Sequence, residues 1–249
     1  MERIAEICCG SLEDVITAEK AGADRVELNA ALSLGGLTPS IASVKLATEI
    51  CPNIKIVPIL RPRGGGFHYN EWELQTMIKD LEEFVKLPIE GVAFGCLNVD
   101  GNIHKEQTRK ITEFLHQHGK IAVFHRAYDC VKDPYKAMET IIEIGVNRVL
   151  TSGLAPKAVD GVQLLAELQK RFGERIEILA GSGVNEANVR TLIEKTGITQ
   201  YHSSCKGWRK DPTTVGSVSY SYLPAPHESD YEIVSSEKAK AFVEAVKRG

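Results

Sequence analysis

A chain of 249 residues, 43% hydrophobic and 25% charged, has the composition of a globular domain with a substantial core, which argues against a disordered or fibrous protein. A formal charge of −3 with scattered Lys and Arg provides no field for a polyanion and argues against a nucleic-acid partner. No run approaches the ~18 apolar residues of a membrane span, and the opening "MERIAEICC" alternates rather than forming a leader-like apolar core, so a cytoplasmic protein without a membrane partner is expected.

Short β-branched runs bounded by turn signals predict strands at 3–9 (RIAEICC), 24–29 (DRVELN), 54–60, 90–95 (EGVAFG), 120–126 (KIAVFHR), 147–151 (NRVLT), 176–180 (IEILA) and 199–203 (TQYHS). Helical stretches lie between them. Polar caps are expected at Thr38 before Pro39, at Asn70 before "EWELQTMI", at Asp133 before Pro134 and at Asn185 before "EANVRTLIEK". Gly22, Gly145 and Gly197 stand where helices end in a left-handed residue. Eight strand–helix repeats predict a closed TIM-like (β/α)8 barrel, an α/β single domain with its core over 1–205. The polar, turn-rich stretch 206–234 is too long for a routine connection and reads as a lid, a subunit arm or a poorly ordered loop. "SSEKAKAFVEAVKR", capped by Ser235 or Ser236, closes the C-terminal extension 206–249 as a helix.

In such a barrel, chemistry gathers at the C-terminal ends of the strands. Glu27 is the sharpest case, since period 2 in "RVELN" sends Val26 and Leu28 outward and Glu27 into the barrel, where a carboxylate needs a partner such as Arg61 or His125. "FHRAYD" adds His125, Arg126 and Asp129 at the fifth strand, and His202 ends the eighth. Glu27, His125, Asp129 and His202 therefore form a candidate acid/base set. The loops holding Gly181, Gly183 and Ser204 occupy the usual phosphate position of barrels, and Arg61, Arg63, Arg126 and Ser152 extend that candidate anion site. Pro62 extends the chain at Arg61, so Arg61 is expected to cross the mouth toward Glu27 and His125 while Arg63 guards the rim. No lysine occupies a strand end, which argues against a Schiff-base aldolase. His116 and His118 form an HxH pair, but on a helix a two-residue offset points them apart.

The six cysteines, without CxxC spacing, read as reduced thiols. Cys8 or Cys9, Cys96, Cys130 and Cys205 fall near strand C-termini. Cys205 is expected to approach Cys8 or Cys9, and Cys96 to approach Cys130, in the soft two-thiolate arrangement that suits Cu(I). Buried cysteine is also a common small core residue, which leaves both readings open.

"ADRVELNAALSLGGLTPS", "RPRGGGFHY", "FHRAYD", "RVLTSG" and "HSS", in this order, resemble the copper homeostasis CutC family from about Glu6 to the closing helix. The resemblance implies a TIM-like barrel, a cytosolic location, homodimers and an association with copper. Many members of that family read "ELC" where this chain reads "ELN", so Asn29 replaces a thiol, and Cys8 and Cys9 become the expected metal ligands. Three readings follow. The first is Cu(I) binding through these cysteines at the barrel mouth. The second is an enzyme on a small anionic or phosphorylated metabolite, which needs no cofactor. The third is a non-catalytic barrel acting as an interaction module.

Overall fold

A computed structural model describes residues 2–249. Eight parallel strands alternate with helices: β1 (Ile4–Cys9), β2 (Arg25–Leu28), β3 (Lys55–Pro58), β4 (Gly91–Phe94), β5 (Ile121–Phe124), β6 (Arg148–Thr151), β7 (Glu177–Ala180) and β8 (Gln200–Ser203). Every expected strand is present. The hydrogen-bonded order runs β3-β2-β1-β8-β7-β6-β5-β4. An Ile59–Ala93 parallel bridge, with Glu90 N–H bonded to the Ile56 carbonyl at 3.0 Å, joins β3 to β4 and closes the barrel.

Helices α1 (Leu12–Lys20), α2 (Ile41–Ile50), α3 (Glu71–Phe84), α4 (Lys105–Gln117), α5 (Pro134–Ile144), α6 (Val162–Phe172), α7 (Val189–Thr196) and α8 (Ser236–Arg248) surround it. Asp133 caps α5 through the N–H groups of Tyr135 and Lys136, and Asn70 forms a capping box with Glu73, as the sequence predicts. Two starts differ. Ser40 caps α2, while Thr38 Oγ1 accepts the N–H of Arg61 at 2.9 Å. Asn188 stands at the α7 cap position, and Asn185 instead turns its side chain onto the Ala187 N–H at 2.9 Å.

Alternation divides each strand into two sets. Ala5, Ile7 and Cys9 of β1, Val26 and Leu28 of β2, and Tyr201 of β8 pack outward with the helices in the main core. Inside the barrel, Val57, Ile59, Ala93 and Val123 form a small apolar cluster on the β3–β5 side. The β1, β2 and β8 side is filled with polar groups: Glu6, Arg25, Glu27, Asn29, Gln200 and His202 are all buried.

The 206–234 stretch is not an irregular loop throughout. β9 (Lys206–Lys210) and β10 (Asp230–Val234) pair antiparallel and frame a strap. Asp14, at the start of α1, fastens it: its carboxylate accepts the N–H of Val234 at 2.7 Å and of Gly10 at 3.0 Å. Ser235 then caps α8.

Candidate functional site

The strand register builds the site from three neighbouring strands. Glu6 lies between Arg25 and His202, and Cys8 lies beside Glu27. Glu6 pairs with Arg25 Nε on one oxygen and accepts the Nδ1–H of His202 at 2.7 Å on the other. Arg25 also donates to Gln200 Oε1 at 2.8 Å and lies 3.7 Å from Glu90. Arg148 bridges Glu90 at 3.3 Å and Glu177 at 2.6 Å. The lower barrel is thus a network of alternating charges.

One layer nearer the mouth, ligand atoms of Cys8, Glu27 and His202 all lie within 4.8 Å of one another. The Cys8 thiol faces Glu27 Oε2 at 3.9 Å, and Asn29 Nδ2 donates to the Cys8 sulfur at 3.4 Å and to Glu27 Oε2 at 3.2 Å. Because Nδ1 of His202 is held by Glu6, its Nε2 is left for the mouth, the arrangement that orients metal-binding imidazoles. Gly36, at φ +85°, must lack a side chain here: a Cβ would stand 2.3 Å from Asn29 Oδ1.

Charge follows from these partners. For Glu6, burial works against ionisation, but Arg25 and His202 overcome it and hold the carboxyl far below the usual range. For His202, burial alone lowers the pKa, yet the Glu6 hydrogen bond and the charges of Glu6 and Glu27 carry it upward. Glu27 is pushed up chiefly by burial. Burial, then the neighbouring Glu27 and Glu232 carboxylates, push the Cys8 thiol well up.

The other expected site residues lie elsewhere. Cys9 points away from Cys8 into the outer core, as alternation requires, and its thiol is raised by burial, with Cys205 among the groups near enough to contribute. The sulfurs of Cys8 and Cys9 therefore do not face one centre. Cys96 is buried and Cys130 exposed.

His125 Nδ1 accepts the Ala127 N–H at 3.1 Å, so the ring caps the turn Arg126–Cys130 and its Nε2 is a buried donor without a partner. Burial, reinforced by Arg61, lowers its pKa to about 3, and the imidazole stays neutral. Asp129 accepts from Thr151 Oγ1 at 2.6 Å, Ser152 N–H at 3.0 Å, Ser152 Oγ at 2.9 Å and Arg126 Nε at 2.7 Å. Asp129, Arg126 and Ser152 thereby satisfy each other.

Arg61 does not reach Glu27. Its Nη1 donates to the carbonyls of Leu34 at 2.9 Å and Gly36 at 2.8 Å, and its Nη2 to Gly65 at 2.6 Å. Those loop carbonyls have no strand or helix partner, and a buried guanidinium supplies the missing donors. Its Nε remains buried and unpaired. Arg63 pairs with Glu73 and donates to the His68 carbonyl at 2.7 Å. Gly181 N–H belongs to the β6–β7 ladder, bonded to Thr151 O at 3.0 Å, and the Gly183 carbonyl accepts from Asn188 Nδ2 at 2.8 Å, while Ser204 is exposed. Sequence reasoning missed the Glu6–His202 link and Arg25, although Arg25 lies two residues before Glu27 and so shares its face.

The chain is a parallel eight-stranded α/β barrel of the TIM-like class, with Cys8, Glu27 and His202 brought close together on its inner wall. The sequence profile described as the CutC family matches residues 3–207, and the chain belongs to that family. A CutC family protein of Treponema denticola is 39% identical over 97% of this chain and 98% of its own length. One from Parabacteroides distasonis is 39% identical over 98% of this chain and 100% of its own. Among solved structures, a candidate copper homeostasis protein CutC from Streptococcus agalactiae superposes with a TM-score of 0.77 at 30% identity, covering 81% of this chain and 98% of that one. A phosphoribosyl anthranilate isomerase of Thermotoga maritima, at TM-score 0.59 and 16% identity, shares the barrel fold alone.

Proposed function

We propose that this protein is a copper homeostasis protein that binds Cu(I) as cargo at the barrel mouth, through Cys8 and His202 with Glu27 in reach. The observation that carries the reading is the convergence of three ligand atoms within 4.8 Å, one of them on an imidazole oriented by Glu6. The donor set fits a soft ion at the thiolate and imidazole and less well at the carboxylate. The copper homeostasis name given to the Streptococcus agalactiae neighbour supports the same reading. Both Cys8 and His202 must lose protons to bind a metal, so affinity rises with pH. A cytoplasmic location and a homo-oligomer accompany this reading, and fractionation and light scattering test them. Anaerobic titration against a competing Cu(I) chelator is the direct test. Tight binding that is lost in Cys8→Ser and kept in Cys9→Ser is expected; binding no tighter than millimolar, or unchanged in Cys8→Ser, overturns the reading.

A second reading, an enzyme on a small oxyanion, draws on a different observation. Two buried donors, His125 Nε2 and Arg61 Nε, lack acceptors, and leaving such groups unpaired costs about 1–3 kcal/mol each. Here Glu27 and His202 are the acid/base pair, with Asp129 holding the turn that positions His125. Thermal shift with sugar phosphates tests it. Stabilisation that disappears in His125→Ala supports it, and no shift across a metabolite panel removes it.

A further inference from the structure

Three buried polar atoms beyond the ends of β3 and β5 have nothing to bond. Arg61 Nε, Tyr69 Oη and His125 Nε2 each lack a hydrogen-bond partner among the described residues, although these residues are only 5%, 2% and 3% exposed. The three are neighbours. The Phe67 ring lies 5.2 Å from Arg61 Cζ and 5.0 Å from the His125 ring, joining the two. Arg61 is also close enough to Tyr69 to oppose the rise that burial gives its hydroxyl, and close enough to His125 to add to the fall that burial gives its imidazole.

Each of the three has a proton to donate. His125 Nδ1 accepts the Ala127 N–H, which fixes the neutral tautomer with its proton on Nε2. Arg61 spends Nη1 and Nη2 on the carbonyls of Leu34, Gly36 and Gly65, which leaves Nε–H. Burial keeps the Tyr69 hydroxyl protonated, and the guanidinium beside it offers no acceptor. An acceptor for this cluster must therefore come from outside the described residues, and buried donors left in this way call for one.

The donor set also selects among oxyanions. The groups in the barrel's usual phosphate position are committed: Gly181 N–H is bonded to Thr151 O at 3.0 Å, Arg63 pairs with Glu73, and Arg126 with Asp129. At the cluster only Arg61 is cationic, and three of its hydrogen bonds already go to carbonyls. Three single donors suit the about four lone-pair sites of a carboxylate, whereas a phosphate dianion with three peripheral oxygens asks for more charge. Phe67 covers the donors. Its carbonyl accepts the Leu97 N–H at 2.8 Å, which fixes the backbone, so the half-buried ring is the part that must swing aside for a ligand.

We propose that Arg61 Nε, Tyr69 Oη and His125 Nε2 form a carboxylate-binding pocket covered by the Phe67 ring. The inference rests on the small-oxyanion reading above and deepens it, naming carboxylates over phosphates as the ligand class and adding Tyr69 and Phe67 to the site.

Proton–nitrogen NMR of the His125 ring, with pyruvate in one arm and glycerol 3-phosphate in the other, tests it. Pyruvate should shift Nε2 and raise the melting temperature, and glycerol 3-phosphate should do neither. A response to glycerol 3-phosphate, with or without one to pyruvate, overturns the carboxylate claim and leaves the oxyanion reading standing; no response to either removes both. Tyr69→Phe deletes only the hydroxyl. Because that hydroxyl is unpaired in the free protein, the variant should melt no lower than the natural protein yet bind pyruvate about tenfold more weakly. A lower melting temperature, or unchanged pyruvate affinity, overturns the proposal. His125→Asn, whose side-chain oxygen is placed to keep the Ala127 N–H bonded, should lose the pyruvate-induced stabilisation, and a retained stabilisation also overturns it.

Discussion

The lower layer of the barrel interior sets Arg25 and Arg148 against Glu6, Glu90 and Glu177, and Arg25 also holds Gln200. In the layer above, Glu27 and His202 are buried and Cys8 is half-buried, but only Asn29 and Glu6 serve them, and ligand atoms remain free. Glu6 belongs to both layers. The difference is one of partner number: a buried charge with its full set of partners is structural, whereas a buried group short of partners is poised for a ligand.

Breaking the closed layer should have the largest effect. Arg25→Met leaves Glu6 and Glu90 without their shared cation, and uncompensated buried charge should reduce stability by about 3–5 kcal/mol in chemical denaturation. A loss below about 1 kcal/mol would mean that the lower layer is not the closed network described.

Glu6→Gln acts at the junction and should lower metal affinity about 10–100-fold, because the group that orients His202 is weakened. The same change removes a pH effect. His202 is raised above its ordinary 6.5 in the folded protein, so its contribution to stability is complete below that value and lost as pH rises through the folded value. In Glu6→Gln the NMR titration of His202 should move down and this loss should disappear; an unmoved titration contradicts the link.

The smallest effect is expected in the open layer. Glu27 is raised, so ionising it at neutral pH works against folding, and Glu27→Gln should leave stability within about 1 kcal/mol of the natural protein or slightly increase it. A loss comparable to that of Arg25→Met would place Glu27 in the closed network instead.

Alternation and turn chemistry made the barrel legible, because each strand is short, β-branched and bounded by its own signals. The same rule placed Glu27 inside. Applied to β1 it also separates Cys8 from Cys9, a consequence obscured by treating adjacent thiols as one site. Arg61 was harder to read, since Pro62 fixes the backbone direction but not which carbonyls lack partners in the folded loops. Arg148 and Glu177 face each other on adjacent strands, but Glu90 meets Arg25 and Arg148 from strands that are not neighbours, and only closure of the barrel brings these together. The pairing of β9 with β10 spans a long polar insertion that carries no short-turn signal.

X-ray absorption at the copper edge of protein loaded anaerobically with one equivalent of Cu(I) tests the central claim most directly. The account predicts one sulfur and at least one imidazole nitrogen bound to copper, from Cys8 and His202. Two sulfurs at the metal, or a spectrum unchanged in Cys8→Ser, would contradict it.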